Sequence, residues 1–377
     1  MSCVTEILDT PQRCQAIADE WEALFGRCPR AAVPLSPAWM LAWWKVYAKQ
    51  YATRQQGMVV ICVRRDGILI GVLPLYRRRR RVRFGPSPDE LYLLSSGEAE
   101  FEETCAEYLD LLCRDEDAAD CLAAIATALR SLRWHRIALC MLDRRSSLPA
   151  LGEQLTDVAE IETRAVGPCL IADLRGGFDA WMQRLSSSRR YRLRQVLRHA
   201  DEDWIRLELA DVDNAGAAFD TLGDLHQRRW TEAGSPGCFA APRWVAFHRH
   251  IIASMLPSGR AVLATLHVHD QVVAALYGFI AHDTFHYYQS GVQREKVAGV
   301  DSPGKLAILL LMRRLAAQGV SYYDFLHGMS DYKRQLSTSE GGLIEVVLWR
   351  RSFAGRCWRR IHPWWLRVMR KLRLIDA

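Results

Sequence analysis

No part of this 377-residue chain restricts its fold more than the stretch from Tyr287 to Leu336, which reads strand, loop, helix, strand, loop, helix. Apolar and aromatic residues from Phe285 to Ser290 suit a buried or half-buried strand. After a polar loop, Ser302-Pro303-Gly304-Lys305 opens a long apolar helix, with serine at the N-cap and proline at the first helical position. The helix runs through Leu306, Leu309, Leu310, Met312 and Leu315 and stops at Gly319, where a C′ glycine belongs. A short β-rich run from Val320 to Leu326 then leads into His327-Gly328.

The opening turn of that helix favours an anion. Its first N–H groups have no intrahelical acceptor, and the helix dipole is positive there. Gly304 would let a ligand approach the backbone and Lys305 adds a full positive charge, so a phosphate or pyrophosphate suits the place. An ordinary capped helix packed on a sheet is the other reading open to the sequence.

The same alternation organises the rest of the chain. Val4 to Tyr51 reads as helical, with a second helix starting at Ser36-Pro37. Strand-like runs Met58 to Arg64 and Ile68 to Tyr76 flank Asp66-Gly67, a hairpin signal. Tyr108 to Leu112 and Arg136 to Met141 read as strands and Ala118 to Leu132 as an amphipathic helix. In the second half, Phe178 to Ala200, Ala215 to Ala233 and Trp244 to Leu256 read as helices. Strands Ala261 to His267 and Val272 to Ala281 flank His269-Asp270-Gln271, and Thr284 to Gly291 is a third. Helices, hairpin, strand, helix, strand thus occur twice, without a residue-level repeat. The predicted fold is α/β in the mixed, α+β sense: tandem domains, each a mixed sheet flanked by helices. The predicted domains are 1–165, structural in role, 166–349, and a basic tail 350–377.

Composition sets limits on function. Half the residues are hydrophobic and a quarter charged, enough for substantial cores. No run reaches the ~20 apolar residues of a membrane-spanning helix, and the N-terminus lacks the pattern of a secretory signal. The cysteines form no Cys-x-x-Cys pair, which fits reduced thiols in the cytosol and predicts no zinc or iron–sulfur centre. Of the net charge of +7, the residues from Arg350 onward hold nine Lys/Arg against Asp376 alone, so the remainder is close to neutral. After Pro363 this tail places Trp364, Trp365, Val368, Met369 and Leu372 opposite Arg367, Arg370 and Lys371. That pattern suits the surface of an anionic membrane or docking on the body of the protein.

Several pieces together resemble the CelD-like acetyltransferases of the GNAT superfamily: Leu35-Ser36-Pro37-Ala38-Trp39, the hairpin ending in Gly71-Val72-Leu73-Pro74-Leu75, and His226 to Trp230 (HQRRW). Ser302-Pro303-Gly304 and Asp324-Phe325-Leu326-x-Gly328-x-x-x-Tyr332-Lys333 complete the set, which covers roughly residues 30 to 340. Tandem halves of this kind also characterise the Fem-type transferases. The resemblance implies acyl transfer from acetyl-coenzyme A or another acyl-coenzyme A, without a metal, to an amine or hydroxyl. The acceptor it implies is a small-molecule or lipid-linked precursor of envelope or exopolysaccharide. A Fem-type aminoacyl transfer from charged tRNA and a non-catalytic scaffold of polysaccharide synthesis are the alternatives. Arg294 lies in the segment from Gln293 to Gly304 that stands where the superfamily binds pyrophosphate, but the segment is longer than the superfamily's pattern.

Direct acyl transfer needs a held donor, an acceptor in line, a route for the acceptor's proton and an acid for the leaving thiolate. By resemblance, Tyr332 is the acid; a packed tyrosine is the alternative. Asp324, in an otherwise apolar strand, is a base or a brace, and His286 is a second base or a satisfied core histidine. Arg190, Arg194 and Arg198 fall four apart on one helix face and could grip an anionic acceptor. His226, Arg229 and Trp230 could line the same cleft, Trp230 by stacking on a sugar, and Lys333 could hold a phosphate or carboxylate. The expected location is cytoplasmic, with peripheral membrane contact through the tail.

Overall fold

The computed structural model describes residues 3–53, 57–78, 88–293, 297 and 299–361. The chain forms two compact units, residues 1–166 together with those from 342 onward, and residues 167–341.

The first unit begins with strand β1 (Cys3–Leu8) and helices α1 (Pro11–Ala16), α2 (Ala18–Gly26) and α3 (Pro37–Tyr51). Strands β2 (Met58–Arg65), β3 (Ile68–Arg78) and β4 (Glu90–Leu93) follow, then the short β5 (Leu112–Cys113), helix α4 (Ala118–Ser131), β6 (Arg136–Asp143) and α5 (Leu151–Gln154). Strand β7 (Ala159–Asp173) carries the chain into the second unit, and β13 (Ser339–Arg350) brings it back. The sheet order is β1-β2-β3-β4-β6-β13, with β5 on β3. Every pair is antiparallel except β4–β6, which is joined through α4. The hairpin expected at Asp66-Gly67 is present, with both residues at positive φ (50° and 81°) as a two-residue turn requires.

The second unit contains α6 (Phe178–Arg184), α7 (Ser187–Val196), β8 (Ile205–Leu209), α8 (Ala215–Glu232), α9 (Pro242–Met255), β9 (Ala261–Val268), β10 (Gln271–Ala281) and β11 (Thr284–Val292). Helix α10 (Pro303–Ala317), β12 (Tyr322–His327) and α11 (Asp331–Leu336) complete it. Its sheet order is β7-β12-β11-β10-β9-β8, again with one parallel pair, β11–β12, joined through α10. Helices α6, α7 and α10 pack on one face, with Trp181, Leu193, Leu309 and Met312 against Phe285, Tyr323 and Phe325. Eight of the fifteen residues of α10 are buried, so the helix is held by its packing. The other face carries α8 and α9, whose Phe219, Trp244 and His248 pack around Tyr277 and Tyr288. The tandem mixed-sheet organisation read from the sequence is therefore present.

Four local expectations differ. Cys3–Leu8 is a strand, because Val4, Thr5 and Ile7 are β-branched and β2 supplies an antiparallel partner. Of the run from Tyr108 only Leu112–Cys113 pairs, since Tyr108 has left-handed φ (60°) and cannot continue an extended chain. The helix expected from Phe178 to Ala200 breaks at Leu185 (ψ 156°), where Ser186 caps α7 by accepting from Arg189 N at 3.4 Å. Residues 342–349, read as part of the second half, lie in the first unit because β13 pairs with β6.

The described part of the basic tail is anchored in the first unit. Trp358 Nε1 donates to Glu90 Oε1 (3.0 Å), and Arg359 pairs with Glu162 (2.8 Å) and Glu160. Residues 362–377, which hold Pro363 and the tryptophan face, lie outside the described residues. No described helix is long and apolar enough to cross a membrane.

Gly291 sets the distance between α8 and β11. A Cβ there would lie 2.6 Å from Leu225 Cβ and 2.7 Å from Leu222 O, and the backbone atom cannot swing aside. Gly291→Ala is expected to destabilise the protein by about 1–3 kcal/mol, read as a lower thermal midpoint; an unchanged midpoint would show that the helix yields freely.

Candidate functional site

Parallel strands β11 and β12 pair only at Thr284–Tyr322, Phe285–Tyr323 and His286–Asp324, and then part. Beyond that point β11 still pairs with β10 as far as Val292, and β12 reaches β7 at His327. The facing edges therefore carry backbone groups with no strand partner, each costing ~1–3 kcal/mol if buried unmet. Side chains meet two of them: Gln289 Oε1 accepts from Ser290 N (2.9 Å), and Asp324 Oδ1 accepts from Leu326 N (2.7 Å). Lys333 Nζ donates to His327 O at 2.8 Å. Leu326 is left-handed (φ 59°), a strained turn that the Asp324 carboxylate braces.

Three tyrosines gather beside this gap. The Tyr287 and Tyr332 hydroxyls act on each other: Tyr332 adds to the rise in the pKa of Tyr287, and Tyr287 lowers that of Tyr332. For Tyr332 burial is the largest effect and raises the pKa, while the Ser330 hydroxyl and the Arg229 guanidinium act in the opposite sense. The phenol stays protonated near neutral pH, as a proton donor must. Tyr323 is fully buried, 4.9 Å from Phe325 and 5.8 Å from Tyr287 between ring centroids, and its hydroxyl has no partner among the described residues. Tyr287, Ser290, Tyr323 and Ser330 were not among the residues picked from the sequence. Apolar alternation accounts for both tyrosines, and only the parting of the strands brings them to Tyr332.

The other expected residues fall in different places. Asp324 is 3% exposed and committed to the Leu326 amide, a brace for the backbone. His286 alternates with Phe285 and Tyr287 and so faces the opposite side of the sheet from Tyr332; burial lowers its pKa to about 4. His226 is buried beside Phe239, Trp230 and the Cys238 thiol (3.8 Å), also with a pKa lowered by burial to about 4. Trp230 is partly exposed, at 38%. Arg229 is the member of its motif that reaches the tyrosines.

The arginine face does not assemble. Arg190 Nη1 donates to Leu185 O (2.7 Å) and Gln183 O (2.9 Å), closing the end of α6. Arg194 is exposed, and Arg198 lies beyond the end of α7, paired with Asp301 at 3.5 Å.

At the start of α10, Ser302 is the N-cap residue, but its hydroxyl caps no N–H because its backbone (φ −143°, ψ 70°) turns it away. The first-turn donors therefore lack a side-chain cap. Lys305 stands there half-buried, its Nζ donating to Gln335 Oε1 of α11 at 2.9 Å. Gly304 serves packing: a Cβ would meet Val292 Cγ2 at 3.0 Å. The crevice beside Ser302, lined by Arg198, His199 and Asp301, measures about 70 Å³, room for a few waters only. Arg294 lies outside the described residues. No group of His, Cys, Asp and Glu among the described residues could hold a metal ion.

Residues 187–334 match a family model described as an acetyltransferase (GNAT) domain. The structure is similar to that of FemX (TM-score 0.62, 11% identity, covering 91% of this chain and 98% of that one). It is also similar to the C-terminal domain of a putative lysylphosphatidylglycerol synthetase of Agrobacterium fabrum (TM-score 0.52, 11% identity, 89% and 92% covered). A third likeness is to L-PGS of Bacillus licheniformis (TM-score 0.50, 10% identity, 92% and 94% covered). At these identities the likeness is one of fold. No curated protein sequence matches the chain. The domain match thus concerns residues 187–334, within the second unit, and the likeness over the rest of the chain is one of fold.

If Asp324 is a brace, Asp324→Asn keeps an acceptor oxygen and should retain transfer activity, whereas Asp324→Leu should lose about 1–3 kcal/mol of stability. Abolished transfer in a fully folded Asp324→Asn protein would return the carboxylate to the chemistry.

Proposed function

We propose that the second unit transfers an acyl group from acyl-coenzyme A to an amine or hydroxyl, with the thioester held where β11 and β12 part. The observation that carries this reading is the three-rung parallel pair. Past His286 and Asp324 it leaves strand-edge groups that an amide-bearing donor arm can meet in the manner of an added strand. The side chain of Gln289 would have to yield the Ser290 N–H to such an arm. The anionic end of the donor would lie at the first turn of α10, where the orphan N–H groups and Lys305 favour negative charge.

In the reaction the acceptor's nitrogen or oxygen bonds to the acyl carbon, the carbon–sulfur bond breaks, and the thiolate takes a proton. Tyr332 is the donor of that proton: its hydroxyl is protonated, stands beside the gap, and has its pKa moderated by Tyr287 and Arg229. Arg229 supports the negative charge that appears during transfer. His286 and Asp324 are outside this scheme, so the acceptor's own proton leaves through solvent. A cell-envelope or exopolysaccharide precursor is the acceptor class supported by the resemblance to CelD-like acetyltransferases.

Tyr332→Phe should lower kcat about 10²-fold or more with little change in KM for acetyl-coenzyme A, measured by release of free thiol with a panel of amino-sugar and hydroxyl acceptors. Full turnover by the variant would remove Tyr332 from the mechanism.

A further inference from the structure

The first unit repeats the parallel pair as β4–β6, and a cavity of about 330 Å³ opens at the carboxyl end of β6. Asp143 closes that strand, and Arg145 and Ser146 continue into the cavity wall. The cavity is not a second donor site. Where the first turn of α10 carries Lys305, α4 is preceded by Asp115, Glu116 and Asp117, and Asp117 is held by Arg65 (2.7 Å) and Arg114 (2.8 Å). Carboxylates already occupy the positive end of that helix, and a phosphate would be repelled.

The lining is graded with depth. Cys28, Leu35 and Leu112, at 5%, 3% and 1% exposure, form an apolar floor. Asp110 stands in the wall. Its Oδ1 accepts from Ser146 Oγ and from Leu111 N, both at 2.7 Å, while Oδ2 has no partner among the described residues. The rim is charged in both senses: Arg30 pairs with Asp115, Arg145 grips Asp143 (2.5 Å), and Arg114 reaches Glu116 (2.6 Å). Arg27 differs, because among the described residues its guanidinium donates only to the carbonyls of Ala23 (3.3 Å) and Leu69 (3.5 Å).

We propose that this cavity binds a small zwitterion of the α-amino acid class, its ammonium on Asp110, its carboxylate on Arg27 at the rim, and its carbon skeleton on the apolar floor. A volume of about 330 Å³ accommodates a ligand of that size. A purely anionic ligand would face Asp110, and a purely cationic one would face the arginines.

The ionisation of Asp110 gives the inference a pH signature. Burial pushes its carboxyl up to about 7; Ser146, the Leu111 amide and Arg30 oppose the rise, and Asp143 adds to it. Around it, burial pushes the Cys28 thiol up to about 12, and the Cys113 thiol is raised by the neighbouring Cys121 thiol and by burial, so both stay neutral. Tyr108 and the paired Arg114, Arg145, Asp115 and Glu116 complete the lining. An ammonium binds the ionised carboxylate, so affinity rises with pH. At pH 6 about a tenth of a carboxyl with a pKa of about 7 is ionised, and at pH 8 about nine-tenths.

Calorimetric titration of the full chain with L-alanine and L-lysine tests this, with ethylammonium and propionate as half-ligands. At least one amino acid should bind roughly tenfold more tightly at pH 8 than at pH 6, and tenfold more tightly than either half-ligand. Titration in buffers of different ionisation heat at pH 7 should show about half a proton released per ligand bound, because a carboxyl with a pKa of about 7 is half protonated there. Asp110→Asn should remove the binding. No heat with either amino acid, an affinity independent of pH, or binding retained by Asp110→Asn would overturn the proposal. The wild-type pH comparison decides the matter even where the variant fails to fold, and none of these readings depends on acyl transfer by the second unit.

Discussion

The parting of β11 and β12 is the constraint around which the candidate site of the second unit is arranged. A parallel pair needs a crossover helix, and α10 supplies it; that helix fixes where the two strands begin but not how far they run together. After three rungs the backbone groups of each strand must find other partners. Gln289, Asp324 and Lys333 supply some of them, at 2.9, 2.7 and 2.8 Å. An unmet buried donor costs ~1–3 kcal/mol, so polar side chains in apolar strands have a structural reason to be there before any catalytic one. The same geometry carries Tyr287 and Tyr323 to the flank of Tyr332.

The two units use one plan and differ in the charge placed at the helix that follows the parting strand. In the second unit the first turn of α10 has no side-chain cap and carries Lys305, a place for an anion. In the first unit, acidic residues precede α4 and are bound by arginines. The two units thus carry opposite charge at corresponding helix starts.

Much of the architecture was legible because it depends on local rules. Asp66-Gly67 and Gly319 sit at positive φ, where the sequence required a turn and a helix end. Apolar periodicity marked α4, α8, α9 and α10, which burial later holds in place. What escaped was set by tertiary partners. Cys3–Leu8 reads as part of a helical run until β2 is there to pair with it. Arg190 and Arg194 share a helix face in the sequence, but carbonyls at the end of α6 claim the first. Gly304 looks like room for a ligand and proves to be room for Val292. Asp324 and Tyr332 were both visible as unusual residues; the turn at Leu326 gives the first a backbone amide to brace, and burial beside Tyr287 raises the pKa of the second.

In the proposed arrangement the donor occupies the parting of β11 and β12, with its anionic end at α10. Calorimetric titration of the purified protein with acetyl-coenzyme A, beside a Lys305→Glu variant, tests it most directly. The account predicts binding on the order of micromolar to submillimolar, as enzymes bind such substrates, weakened at least tenfold by the charge reversal. An absence of binding by a folded wild-type protein, or equal binding by the folded variant, would contradict it.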